Sequence, residues 1–316
     1  MMKISIMETL RISPEEMAAH RAPFEAQGHT FSEFSRTTDI PTLIAQAKDA
    51  DVMILANMPM PGAVISQCDN LKFIDVAFTG VDHVDLAAAK EKGIAVSNAS
   101  GYSNEAVAEL AVAMALDLLR HVPKMEALCR EGKGAGMLIG SELRGKTVGI
   151  IGFGKIGKRS AKLFHAFGAK ILAQSRRPIE NAPDYVEVVS QDELLKNADI
   201  VVLHCPLNDS TRGMINKSKL AFMKPTSLLV NVARGPVVVT QDLADALNAG
   251  TIAGAAIDVF DKEPPLSLDE PLLHTPNTLV TPHIAFASVE SMQLRANIVF
   301  DNLAAWLDGK QQNIIL

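Results

Sequence analysis

The residues best placed to do chemistry begin at "TVGIIGFGKIGKRSAKLF". There Gly152, Gly154 and Gly157 form GxGxxG straight after an apolar run and at the head of a helical pattern. The first glycine permits a tight turn, the second lets a pyrophosphate approach the backbone, and the third allows close helix–strand packing. Free amides at the start of that helix, around Lys155, Ile156 and Gly157, then meet the phosphates. The next apolar run, "ILAQSRRP", ends in Ser175, Arg176 and Arg177. An acid at this position would hydrogen-bond the 2′-hydroxyl of NAD, whereas an arginine accommodates the 2′-phosphate of NADP. With no carboxylate to repel a phosphate and two guanidiniums able to fork onto one, NADP is the preferred cofactor and NAD the lesser one. The bland alternative is a solvated basic turn, since arginines are ordinarily exposed.

A second constellation lies in the last third. "NVARG" puts Arg234 just after an apolar run, "DVFDKEPP" places Asp258 and Glu263 after another, and "TPHIA" sets His283 after a third. Ligands of open α/β sheets gather at the carboxyl ends of strands, so polar residues at three such ends can converge. Six other histidines, His20, His29, His83, His121, His165 and His274, have no evident partner in any motif and read as surface or packing residues.

The elements that must carry these residues alternate along the whole chain. "KISIME", "HTFSEF", "DVMILAN", "LKFIDVAF" and "IAVSN" read as strands, separated by helical patterns such as "SPEEMAAHRAPFEAQG" and "VDLAAAKEKG". A second series runs through "AKILAQS", "ADIVVLHCPL", "TSLLVNVARG", "IAGAAIDVF" and "NTLVTPHIA", apolar on both faces as buried parallel strands are. Such alternation predicts α/β architecture: two doubly wound parallel-sheet domains. With 316 residues, the chain is longer than one core normally organises. A long helix, "NEAVAELAVAMALDLLRHV", joins the two series, and 130–140, "REGKGAGMLIG", reads as a surface loop or arm. A last helix from about Ser288 to Leu307 is expected to return to the first domain. The expected division is therefore residues 1–98 plus 288–316 for one domain and 99–287 for the dinucleotide-binding one.

Composition narrows the class. A net charge of −6 disfavours nucleic acid or anionic membrane as partners. No apolar stretch approaches membrane-spanning length and the N-terminus is too polar for a secretory signal. Cys68, Cys129 and Cys205 are odd in number and far apart, which fits a reducing, cytoplasmic setting and argues against disulfides or a thiolate metal site.

Over essentially its full length the chain resembles the D-isomer-specific 2-hydroxyacid dehydrogenases. The matching stretches are "GVDHVDLAAAKEKGI", "NEAVAELAVAMALDLLR", the GxGxxG segment, "HCPLNDSTRGMIN", "NVARGPVVV", "AAIDVFDKEPP" and "TPHIAFAS". The resemblance implies a flavodoxin-like substrate domain, a Rossmann cofactor domain and an active site in the cleft. It implies hydride transfer between a nicotinamide and a small 2-oxo or 2-hydroxy acid, glyoxylate or hydroxypyruvate among them. Carried over, Arg234 binds the substrate carboxylate, His283 is the general acid–base and Glu263 its partner. Asp258 contacts the nicotinamide amide, Val107 lies beside the ring, and His204, Cys205 and Pro206 line the adenosine side. Val232 and Ala233 join the cofactor set. Gly80, Val81, Asn57 and Met58 fall where the family contacts substrate, although Met53, Met58 and Met60 suit ordinary packing equally well. Family members usually pair as homodimers, and 120–145 is where a dimer arm would lie. Two other readings stay open. One is a phosphoglycerate dehydrogenase without a regulatory domain, since the chain ends at Leu316; the other is a nucleotide-sensing corepressor-like protein.

Overall fold

The computed structural model describes residues 1–263 and 265–316. It divides into two compact units, Met1–Ser103 with Ala287–Leu316, and Asn104–Phe286.

The first unit runs β1 (Lys3–Ile6), α1 (Pro14–Glu25), β2 (Thr30–Glu33), α2 (Ile40–Ala47), β3 (Val52–Leu55), α3 (Gly62–Ile65), β4 (Phe73–Val76), α4 (Leu86–Glu91) and β5 (Ala95–Asn98). Its sheet has the order β2-β1-β3-β4-β5 and every pairing is parallel. β3 and β4 are buried at all four positions, as strands covered on both faces must be. Helix starts follow local chemistry. Ser13 and Glu16 form a capping box ahead of α1, and Asp39 and Asp85 cap α2 and α4.

The second unit begins with α5 (Asn104–Arg120) and α6 (Val122–Arg130). It continues through β6 (Thr147–Ile151), α7 (Lys155–Ala166), β7 (Lys170–Gln174), β8 (Val186–Val188), α8 (Gln191–Asn197), β9 (Ile200–Leu203) and α9 (Lys217–Leu220). The last elements are β10 (Leu228–Asn231), α10 (Thr240–Asn248), β11 (Gly254–Ile257) and β12 (Thr278–Val280). The parallel sheet has the order β12-β11-β10-β9-β6-β7-β8. From β6 the chain first steps outward to β7 and β8, then returns to β9 on the other side. That reversal opens a crevice at the C-terminal ends of β6 and β9, the point where doubly wound sheets take their ligands.

α11 (Val289–Leu307) closes the first unit, stacking Phe300 on His20 and Trp306 on Phe73. Two features differ from the sequence reading. β12 is half-buried at all three positions rather than buried, because it is an edge strand with one neighbour. α6 is a separate helix without a single buried residue, set off from α5 by His121 in the left-handed region (φ 55°). Among the described residues no helix is long and apolar enough to cross a membrane.

Candidate active site

At the end of β6, Gly152 adopts φ +96°, and a Cβ there would stand 2.5 Å from the Cys205 amide nitrogen. The turn therefore rests directly on the segment that follows β9. A Cβ at Gly157 would meet the Gly152 carbonyl oxygen at 2.1 Å, so the first turn of α7 packs on the strand end with no room for a side chain. Gly154 is the N-cap of α7 and no side chain caps it. The first amides of α7, from Lys155 on, thus point at the crevice as donors for an anion.

The crevice is a cavity of about 490 Å³ whose walls include Gly152, Gly154, Ser175, Arg176 and Arg177 on one side and His204, Cys205 and Pro206 on the other. His204 Nε2 lies 2.8 Å from the Ser160 hydroxyl of α7, which ties the two walls together. Burial pushes the imidazole down to about 3, so it is neutral at physiological pH. Burial likewise pushes the Cys205 thiol up to about 11, which makes it an unreactive packing group. His204 Nδ1 and Gln191 Nε2, both in this wall, are buried without a hydrogen-bond partner among the described residues. Buried polar atoms are normally paired. A ligand rich in ring nitrogens, hydroxyls and phosphates satisfies them, and the residues present fit a dinucleotide.

Arg177 and Ser175 also border a neighbouring cavity of about 420 Å³ that includes Lys158 and Glu180. Lys158 adds a cation that the motif reading did not single out, because the residue after the third glycine has no role in that fingerprint. Val107, on α5, is buried, as are Val232 and Ala233 after β10.

The second constellation sits on three neighbouring strands. β10, β11 and β12 are adjacent and parallel, so Arg234, Asp258 and His283 all follow C-terminal ends on one sheet edge. Asn231 shapes the first turn: its side-chain amide donates to the Arg234 carbonyl at 3.0 Å and its Oδ1 accepts from the Ala233 amide at 3.1 Å. His283 takes φ 53°, a left-handed conformation costing a non-glycine residue about 1–2 kcal/mol. The cost is met by Asp258. The His283 amide donates to the Asp258 carbonyl at 2.8 Å, and the fully buried Asp258 carboxylate accepts from the Ile284 and Ala285 amides and the Thr281 hydroxyl at 2.8, 2.8 and 2.6 Å. Burial nevertheless pushes this carboxyl above its ordinary range. The Asp258 side chain thus anchors the loop that presents His283.

His283 Nδ1 lies 2.9 Å from Glu263 Oε2. A carboxylate only accepts, so Nδ1 carries the hydrogen and Nε2 is the nitrogen left to exchange a proton. His283 also meets the Phe286 ring edge-on at 5.4 Å.

The first unit carries the remaining candidates. Asn57 is half-buried just past β3, with Oδ1 accepting from Arg36 at 2.7 Å. Gly80 and Val81 lie half-buried after β4, in a loop braced by Asn98 Nδ2 donating to the Thr79 carbonyl at 2.7 Å. Met58 follows Asn57 directly. Its side chain is fully buried, as are those of Met53 and Met60, because all three fill the core beside the sheet.

Residues 112–285 match the family described as D-isomer specific 2-hydroxyacid dehydrogenase, NAD binding domain. The chain is 37% identical to a hydroxypyruvate reductase of Blautia hydrogenotrophica, over 99% of both proteins. Among solved structures it is similar to the TT0316 protein of Thermus thermophilus, with a TM-score of 0.90 and 33% identity over 100% of both chains. An acyclic imino acid reductase in complex with NADPH and D-Arg superposes with a TM-score of 0.89 at 27% identity, again over 100% of both chains. A glycine turn built for a dinucleotide, an imidazole–carboxylate pair on the same sheet edge and these likenesses lead to one conclusion: the chain belongs to the D-isomer specific 2-hydroxyacid dehydrogenase family, NAD(P)-dependent oxidoreductases acting on a CH–OH group.

Proposed function

We propose that the protein is an NADP-preferring D-2-hydroxyacid dehydrogenase, acting as a reductase of a small 2-oxo acid of the glyoxylate or hydroxypyruvate kind. The observation that carries this reading is the 2.9 Å contact between His283 Nδ1 and Glu263 Oε2, on the strand edge that also bears Arg234. A bound reduced nicotinamide would supply the hydride to the carbonyl carbon. The carbonyl oxygen must then gain a proton, and His283 Nε2 delivers it. Glu263 holds the ring by Nδ1 and stabilises the imidazolium that serves as donor. Arg234 offers a planar fork to the substrate carboxylate that a lysine cannot reproduce. Asp258 keeps the His283 loop in its left-handed turn. Asn57, Gly80 and Val81 supply further substrate contacts.

NADP preference is supported by the absence of a carboxylate at the end of β7 and by Arg176, Arg177 and Lys158 around the adjoining cavities. Pairing as a homodimer is supported by α6, which buries nothing, and by Val122, Met137 and Ile139, 48%, 92% and 82% exposed. A monomeric mass in solution would count against that pairing.

The test follows NADPH and NADH absorbance with a panel of 2-oxo acids. Charge-assisted hydrogen bonds are worth about 1.5–3 kcal/mol, so NADPH should be favoured about tenfold or more, and Arg176→Ala with Arg177→Ala should erase the advantage. Equal efficiency with both cofactors overturns the preference. Cofactor binding without turnover of any acid overturns the enzyme reading in favour of a nucleotide sensor.

A further inference from the structure

Glu8 is a carboxylate in the core of the first unit, only 5% exposed, and the chemistry proposed above does not use it. It lies two residues past β1, while Ala56, Asn57 and Met58 follow β3, the neighbouring parallel strand. Glu8 Oε1 accepts from the Ala56 amide at 2.9 Å and from the Met58 amide at 2.7 Å. One oxygen thus grips the backbone on either side of Asn57. The other oxygen, Oε2, accepts from Arg36 Nη1 at 3.0 Å, and that same nitrogen donates to Asn57 Oδ1 at 2.7 Å. The buried Arg295 of α11 donates to the Leu10 carbonyl at 2.6 Å and lies 5.7 Å over the Tyr102 ring, which secures the segment after β1.

These contacts do more than hold a loop. An amide side chain can flip and exchange its acceptor for its donor, but a guanidinium only donates. Arg36 therefore selects the rotamer in which Asn57 turns Oδ1 toward the protein and leaves Nδ2 facing away from it as a donor. Strand ends on this edge of an open sheet are where ligands bind. We propose that Glu8 and Arg36 are positioning residues that lock the Asn57 amide, so that Nδ2 donates to an acceptor oxygen of the 2-oxo acid. The inference rests on the reading of Asn57 as a substrate contact. It adds the sense of that contact: the site takes an oxygen acceptor there and rejects a donor.

The test compares Arg36→Ala, Arg36→Lys, Asn57→Ala and the Arg36→Ala/Asn57→Ala pair in steady-state kinetics with a 2-oxo acid and in fluorescence titration with NADPH. Arg36 and Asn57 are not core residues, so these variants avoid the folding defect that removing Glu8 invites. An oriented hydrogen bond is worth about 0.5–1.5 kcal/mol, so Arg36→Ala and Asn57→Ala should each raise KM for the acid about two- to tenfold. NADPH affinity should stay as in the wild type, Arg36→Lys should recover part of the loss, and Arg36→Ala should add nothing in the Asn57→Ala background. A purely structural role would lower thermal stability without this KM effect or its non-additivity. Should Asn57→Ala raise KM while Arg36→Ala does not, or should the two effects add in full, the lock is wrong and the substrate contact stands. An unchanged KM in Asn57→Ala removes the contact and the lock together.

Discussion

Acid should weaken the second unit through His204, and the size of the effect follows from its surroundings. The ring bonds Ser160 through Nε2 while Nδ1 is buried without a partner among the described residues, so a proton taken up there meets no acceptor and little water. Burial lowers its pKa from 6.5 to about 3. In the unfolded chain the same imidazole titrates near 6.5. Stability contributed by the neutral ring is therefore complete above pH 6.5 and is lost as pH falls toward 3, where the unfolded state binds a proton that the folded state refuses. At about 1.4 kcal/mol per pH unit, the full interval is worth on the order of 5 kcal/mol, as an upper bound. About half of that falls between pH 6.5 and 4.5. Urea unfolding of wild type and His204→Leu at pH 7.5, 6.5, 5.5 and 4.5 measures it, because every other titrating group cancels in the difference. The wild type should lose ground steadily relative to the variant below pH 6.5. A difference that stays constant across that range would refute the reasoning.

Other outcomes follow from the same structure. Gly157→Ala places a Cβ 2.1 Å from the Gly152 carbonyl oxygen and should cost about 1–3 kcal/mol of stability and weaken NADPH binding, read by fluorescence titration; an unaltered Kd would contradict the close packing of the turn. Burial holds the Asp75 carboxyl well above its ordinary range, with Asn302 Nδ2 donating to it at 3.0 Å. Its stabilising protonated form is lost as pH rises through the folded value, so Asp75→Asn should raise Tm at pH 8 more than at pH 4. A uniform shift would argue against it. His283→Ala should lower kcat by about 10²–10⁴ and leave NADPH affinity nearly intact, and near-normal turnover would end its proposed role.

The glycine turn was readable because its constraints are local. A positive φ at residue 152 and the absence of a Cβ at 157 are demands that GxGxxG states in the letters themselves. The buried strands were readable too, since β3, β4, β9, β10 and β11 are buried throughout and are apolar except for Asp75 in β4 and Asn231 at the end of β10. α6 was not, although Val122, Met125, Leu128 and Cys129 recur at helical spacing, because its separation from α5 depends on one left-handed histidine.

By itself, the sequence determined the alternation of strands and helices, the glycine turn after β6, the arginines at the end of β7 and the residue types that follow β10, β11 and β12. Only the tertiary structure decided which of those residues meet. That His283 touches Glu263, that Asp258 spends its carboxylate on the Ile284 and Ala285 amides, and that Glu8 grips a loop some fifty positions away all depend on which strand ends lie side by side. The reason is physical. Helix, strand and turn preferences act over a few residues, whereas a contact between strand ends is set by sheet order and by the burial that makes an unpaired carboxylate too costly to leave alone.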